Sequence, residues 1–473
     1  MKSAPNTNDL RRELGPFSAT ILVMANMVGT GIFTTSGFIL EELGSPRALL
    51  LCWLCGGLFA LCGALCYGEL GARFPRAGGE YVFLRESFGR PLAFLSGWIS
   101  LIVGFSAPIA AAAIALATYL FQAFTIAAGE PLILSLWGVK LASLSPLTLT
   151  AIAAIVLFSL IHMHSLQMGS HIQNGLTVFK IALIVLFALA AWLWGEGDAA
   201  HFSAPAAGPL SAEKFAVSLI FVSFAYSGWN AAAYLGAEIT APQRNIPLAL
   251  VLGTAVVVCF YLLLNAVYIQ ALPMDRMAGV LEVGAVSATA LFGAGVGHFF
   301  SAAVALGLLS LLSAMILTGP RVYYAMSRDG LFFSLFGRLN PERHTPAASI
   351  GLQAGLAIVM VASASFENLL VYIGFTLSLC AMLTVIGLMR IRRRTGIGGL
   401  AYRTPGYPVT PMVFILGNAW IILFSIRGRP VAALFGLATI AAGLAVYYRF
   451  ARRRDRSPEH VDHPSPLQPE ETP

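Results

Sequence analysis

Apolar blocks of about twenty residues alternate with short polar connections along nearly the whole chain. That block length is what an α-helix needs to cross the hydrocarbon core of a bilayer. The pattern predicts twelve helices, at 17–40, 47–71, 90–124, 146–163, 173–194, 213–236, 247–271, 296–325, 347–364, 368–390, 410–426 and 430–449. Residues 1–16 are polar, and the first apolar block runs past signal-peptide length, so it reads as a helix that stays. The tail at 451–473, rich in Pro, Glu, Asp and Arg, has little to bury and is expected to be disordered. The fold class expected is an all-α membrane protein, its transmembrane domain covering 17–450.

Two blocks carry a defect near mid-depth. Gly29-Thr30-Gly31 interrupts the first, and Ala225-Tyr226-Ser227-Gly228 interrupts the sixth. Glycines in membrane helices often serve close packing, but these are two apart and form no single stripe. The interrupted helices also lead two successive groups of five. That is the mark of an inverted repeat, with one repeat at 17–194, the other at 213–390 and extra helices at 410–449. Unwound backbone exposes N–H and C=O groups that lipid cannot satisfy. A zwitterion can: freed N–H groups suit a carboxylate, and freed carbonyls suit an ammonium group.

Composition supports the membrane reading. The chain is 58% hydrophobic, 11% charged and has a mean hydropathy of +0.78, whereas a soluble domain carries roughly 25% charged residues. The net charge of +7 does not imply nucleic acid, because the basic residues sit in short loops. With the N-terminus inside, 22 Lys and Arg fall on the cytoplasmic side and 6 outside, the remaining one being Lys180. Both termini are therefore expected in the cytoplasm of a cell (inner) membrane protein. Cys52, Cys55, Cys62 and Cys66 share one apolar block without His or Asp partners and read as small helix residues. Neither a metal nor another cofactor is expected.

At several strings the chain resembles the amino acid–polyamine–organocation superfamily, and within it the L-type amino acid transporter branch. These are Gly29-Thr30-Gly31-Ile32-Phe33, Phe74-Pro75-Arg76-Ala77-Gly78-Gly79-Glu80-Tyr81, Phe224-Ala225-Tyr226-Ser227-Gly228-Trp229-Asn230, Ser327-Arg328-Asp329-Gly330 and Tyr402-Arg403-Thr404-Pro405. The resemblance covers about 15–450. It implies five-plus-five inverted repeats with discontinuous helices 1 and 6. It implies that a substrate carboxylate meets the backbone around Gly29, Thr30 and Gly31, and that the amino group meets carbonyls of Met27, Phe224 and Ser227, with Ala225 and Asn230 beside them. Ser227 departs from the family's glycine and adds a side chain at the unwound point. Animal members of the branch attach to a second subunit through a cysteine in the outer loop after helix 3. The loop here, 125–146, has no cysteine, so no disulfide-linked heavy subunit is expected.

Lys180 lies inside helix 5, where a charge is by default functional. The resemblance implies that it stands where sodium-coupled relatives of this fold hold an ion, with the Gly29 carbonyl and Ser310 or Ser313 as neighbours. Glu69 and Glu238 read as structural or gating residues, and His162, His164 and His171 as loop histidines. Helices 1, 3, 6, 8 and 10 are expected to line the pocket, helix 10 through Ile373-Gly374-Phe375-Thr376. Their middles hold neither a carboxylate nor an arginine, which favours neutral substrate side chains. The reading is a sodium-independent exchanger or permease for neutral L-amino acids working by alternating access. Proton symport, cationic amino acid or polyamine transport, and a sensor without flux remain open. An enzyme would need a polar cluster with a nucleophile at depth, and the sequence offers none.

Overall fold

The computed structural model describes residues 10–454, except 128, 137–138, 207, 281, 364–365, 397 and 429; at 134, 136, 139–142, 366–376, 425, 428, 430–433 and 450–454 only the backbone is described. The expectations for residues 1–9, for the tail from 455 onward and for the side chains of Ile373 to Thr376 lie outside the described residues.

The first apolar block forms three pieces, α1 (Pro16–Met27), α2 (Thr30–Thr34) and α3 (Ser36–Leu43). The second is one long helix, α4 (Pro46–Arg73). Then come α5 (Glu80–Phe88), α6 (Arg90–Ile99), a π-helical stretch Ser100–Ser106, and α7 (Ala107–Ala123). Pro108 explains the wide turn, since it has no N–H to give to the carbonyl of Gly104 four residues back. The Ala107 N–H instead reaches the Ile102 carbonyl, five back. An antiparallel hairpin follows, β1 (Leu132–Leu136) with β2 (Val139–Leu144). Next are α8 (Pro146–His164) and α9 (Leu166–Trp194), separated by Ser165 alone, which caps the second by accepting from the Met168 N–H.

The second half repeats the opening theme. It begins with α10 (Ala212–Ala225) and the single turn α11 (Ala231–Tyr234), then α12 (Pro242–Ala271). After α13 (Met274–Met277) and α14 (Val283–Phe292) come α15 (Ala294–Thr318) and α16 (Pro320–Arg328). The chain ends with α17 (Ala347–Ser363), α18 (Phe366–Thr395), α19 (Val409–Gly428) and α20 (Pro430–Arg454).

Seven of these stretches are long and apolar enough to cross a membrane by themselves, and four shorter apolar helices accompany them. The hydropathy pattern does not predict α5, the hairpin, α13 or α14, and α9 begins seven residues before its predicted start. All of these are short or polar, where hydropathy carries little signal.

The burial pattern is that of a protein in lipid. On α9 the inward positions are Gln173, Thr177 and Lys180, while Val178, Phe179, Leu186 and Leu189 face outward. Polar groups turn inward because a lipid tail offers them no partner. The broken segments sit at the centre. Helix α12 packs on α4 and on α1, and α15 packs on α7, α9 and α1.

Candidate functional site

Both sequence defects are breaks in the structure. Helix α1 stops at Met27, Val28 and Gly29 run extended, and α2 restarts at Thr30. Helix α10 stops at Ala225, and five residues pass before α11. Glycine lets the two breaks touch. Gly228 has φ +95°, and a Cβ there would lie 2.7 Å from the Asn26 carbonyl oxygen. A Cβ on Gly31 would lie 2.6 Å from the Ala225 Cα. Backbone therefore meets backbone, an approach that any side chain would prevent.

Tyr261 of α12 ties the breaks together. Its hydroxyl shares its one proton between the Met27 carbonyl at 2.6 Å and the Ala225 carbonyl at 3.0 Å. The ring is fully buried, with Trp53 and Tyr226 against it. Nothing in the local sequence around Tyr261 marks this role.

Lys180 is buried too, and its Nζ donates to the Val28 and Ala25 carbonyls, the latter at 3.4 Å. Its stem lies over Gly307 of α15. The expected neighbours are corrected here: the ammonium serves Val28 rather than Gly29, one peptide earlier in the break. Ser310 donates to its own helix at Gly307, and Ser313 bonds to His162 Nε2 at 2.8 Å. His162, read as a loop histidine, is thus the buried end of α8.

Two cavities adjoin the breaks. The smaller, about 20 Å³, is lined by Met27, Gly29, Thr30, Gly31, Phe224, Ala225 and Ser227 among others. The first N–H groups of a helix have no partner within it, and those opening α2 belong to Thr30 and Gly31. The Met27 carbonyl accepts from Tyr261, and the Phe224 carbonyl accepts from the Ser227 N–H.

The larger cavity, about 110 Å³, shares Asn26, Pro108, Ser227 and Met315 with the smaller and extends past Asn230. That volume holds roughly four waters, the scale of a small amino acid. The π-helical stretch contributes Ser100, Gly104 and Phe105, α15 contributes Thr318, and α18 contributes Ser378. Helices α4 and α19, which sequence reasoning left out, supply Phe59 and Asn418.

The other residue missed is Glu80, the single charged residue lining this cavity among the described residues. It opens α5, a connecting helix outside the spans, and accepts at Oε1 from the Tyr67 hydroxyl (2.7 Å) and the Asn230 amide (2.8 Å). Desolvation pushes its carboxyl up to about 7, against the pull of those donors and of Tyr234. Its place after Gly78-Gly79 is visible in sequence, but that it faces the cavity is not.

The remaining buried carboxylates are paired. Glu238 receives Arg321 through Nε (2.8 Å) and a terminal nitrogen (2.7 Å), both residues wholly buried. Glu69 receives Arg392 at both oxygens and also the Thr404 N–H. Each pair joins distant segments at a helix end.

Two broken helices that meet beside a cavity in a helical membrane protein are the arrangement of a transporter of small solutes. The chain belongs to the amino acid permease family, whose model matches residues 14–450. It is 27% identical to the serine/threonine exchanger SteT of Bacillus subtilis, over 94% of this chain and 98% of that one. It is 26% identical to the human large neutral amino acids transporter small subunit 2, over 93% and 80%. To the human b(0,+)-type amino acid transporter 1 the identity is 27%, over 94% and 89%. The protein is an amino acid transporter and not an enzyme.

Proposed function

We propose that this protein exchanges neutral L-amino acids across the cell membrane by alternating access, independently of sodium. The observation that carries the reading is the contact of the two helix breaks beside a cavity of amino-acid size. The substrate carboxylate meets the N–H groups at Gly29, Thr30 and Gly31. Its ammonium meets the carbonyls of Met27, Phe224 and Ser227, with Ala225 and Asn230 beside it. The carbonyls of Met27 and Phe224 already accept one hydrogen bond each, and a carbonyl has a second lone pair to give. The side chain enters the larger cavity, where serines, Asn418 and aromatic rings favour an apolar or weakly polar group; the sequence predicts no carboxylate in this lining, and the one it has among the described residues, Glu80, already engages Tyr67 and Asn230.

Sodium independence rests on Lys180, whose ammonium occupies the Val28 and Ala25 carbonyls and repels a second cation at contact distance. The role of Ser310 and Ser313 is then indirect, through α15. Exchange is the mode named for the Bacillus relative. The excess of Lys and Arg in the loops read as inner supports both termini facing the cytoplasm. One relative is named as a small subunit; the loop at 125–146 offers no cysteine for a disulfide to such a partner.

Uptake of a labelled amino-acid panel into proteoliposomes, with and without internal amino acid and in sodium or choline, tests this. Neutral amino acids should enter, faster with a loaded interior and equally in both salts. Arginine or glutamate competing as well as alanine, serine or leucine would overturn the substrate class. A steep sodium requirement would overturn the role of Lys180.

A further inference from the structure

Three glutamates are buried among the described residues: Glu69, Glu80 and Glu238. Two hold an arginine; Glu80 does not. Every element around it presents neutral groups or cations already engaged. Helix α4 offers the Tyr67 hydroxyl, the second break offers Asn230, α11 offers Tyr234, and α18 offers the Cys380 thiol. Tyr323 of α16 stands behind Tyr234. Nearby arginines are bound elsewhere: Arg85 to Asp329, Arg76 to Glu86, Arg321 to Glu238 and Arg392 to Glu69. Arg390 lies over the Phe88 ring, Arg328 lines a separate cavity with Arg85, and Arg90 at the start of α6 acts on Tyr81.

An ionised carboxylate buried without a counter-charge is costly. Water in the cavity lowers that cost, and a substrate that displaces the water raises it again. The substrate's ammonium is balanced by its own carboxylate and is held by the backbone carbonyls of the breaks, and a neutral side chain brings no further cation, so the Glu80 carboxylate takes a proton from solvent. Oε1 already accepts two hydrogen bonds, which leaves Oε2 for the proton.

We propose that Glu80 is the proton-binding group of the transport cavity: it is protonated when substrate fills the cavity and ionised when water does, so that substrate binding takes up a proton. The Asn230 amide links this event to the broken helix, since it bonds both to Glu80 and, at 3.3 Å, to the Tyr234 hydroxyl. The inference rests on the neutral-substrate reading above.

The test is equilibrium binding to the purified full-length protein, using the labelled neutral amino acid that the uptake panel selects. Wild-type affinity should be highest in acid and fall by up to about tenfold per pH unit above the Glu80 midpoint. Glu80→Gln keeps the acceptor for Tyr67 and Asn230 but cannot ionise, so its affinity should be flat with pH. In weak buffer the wild type should take up a proton on binding and the variant none. Glu80→Gln with the wild-type pH slope would overturn the proposal, as would a wild type that binds equally well across the range. If Glu80→Gln binds nothing, Glu80→Asp decides: a displaced midpoint supports the proposal and the wild-type midpoint overturns it. A wild type that binds none of the panel defeats the transport reading and this one together, whereas binding without pH dependence removes only the role of Glu80.

Discussion

Alanine at Gly31 puts a methyl group where the two helix breaks meet. Its Cβ would stand 2.6 Å from the Ala225 Cα and 2.7 Å from the Ala225 Cβ. Backbone cannot rotate away as a side-chain tip can, so the breaks must separate by about 1 Å in a close-packed interior. Overpacking of this kind costs about 1–3 kcal/mol. If substrate draws the breaks together, that cost falls on binding, and about 1–3 kcal/mol is a weakening of about 5–150-fold. Gly29 provides the internal comparison. A Cβ there meets Leu311 Cδ2 at 2.6 Å, the far end of a flexible side chain that can turn aside. Binding to detergent-purified protein should therefore be much weaker in Gly31→Ala than in Gly29→Ala, with both variants monodisperse. Valine at either position should abolish binding, because its extra methyls crowd the backbone donors. Equal losses in the two alanine variants, or full affinity in Gly31→Ala, would refute the close contact as the basis of the site.

Tyr261→Phe removes the hydroxyl shared by the Met27 and Ala225 carbonyls. Leaving buried acceptors without a donor costs about 1–3 kcal/mol, so thermal stability in detergent and substrate affinity should both fall; an unchanged variant would show that the hydroxyl does not hold the breaks. Arg321→Ala strands Glu238 in a buried site, at about 3–5 kcal/mol. The double change Arg321→Met with Glu238→Gln should recover much of the lost stability, and a double variant no more stable than the single one would contradict the charge argument.

The sequence by itself determined the fold class, the two breaks and the membrane setting. All three are one-dimensional properties. Predominantly apolar blocks of about twenty residues, repeated along the chain, have the length that crosses a bilayer. Glycines placed mid-span in the leading helix of each half mark where regular hydrogen bonding ends. Lys180 stood out for the same reason, as a charge inside an apolar run.

The tertiary structure decided which groups those features meet. Tyr261 lies in an ordinary apolar helix, and only the packing of α12 on α1 brings its hydroxyl to the Met27 carbonyl. Lys180 reaches Val28 rather than Gly29 because Gly307 lets its stem lie along α15. Glu80 follows two glycines in a polar connection that hydropathy reads as a loop. Folding carries it into the cavity wall, while Glu69 and Glu238 find arginines hundreds or tens of residues away. Chain order records which groups are costly to bury. Three-dimensional packing alone assigns each its partner, because burial energies depend on neighbours that sequence distance does not encode.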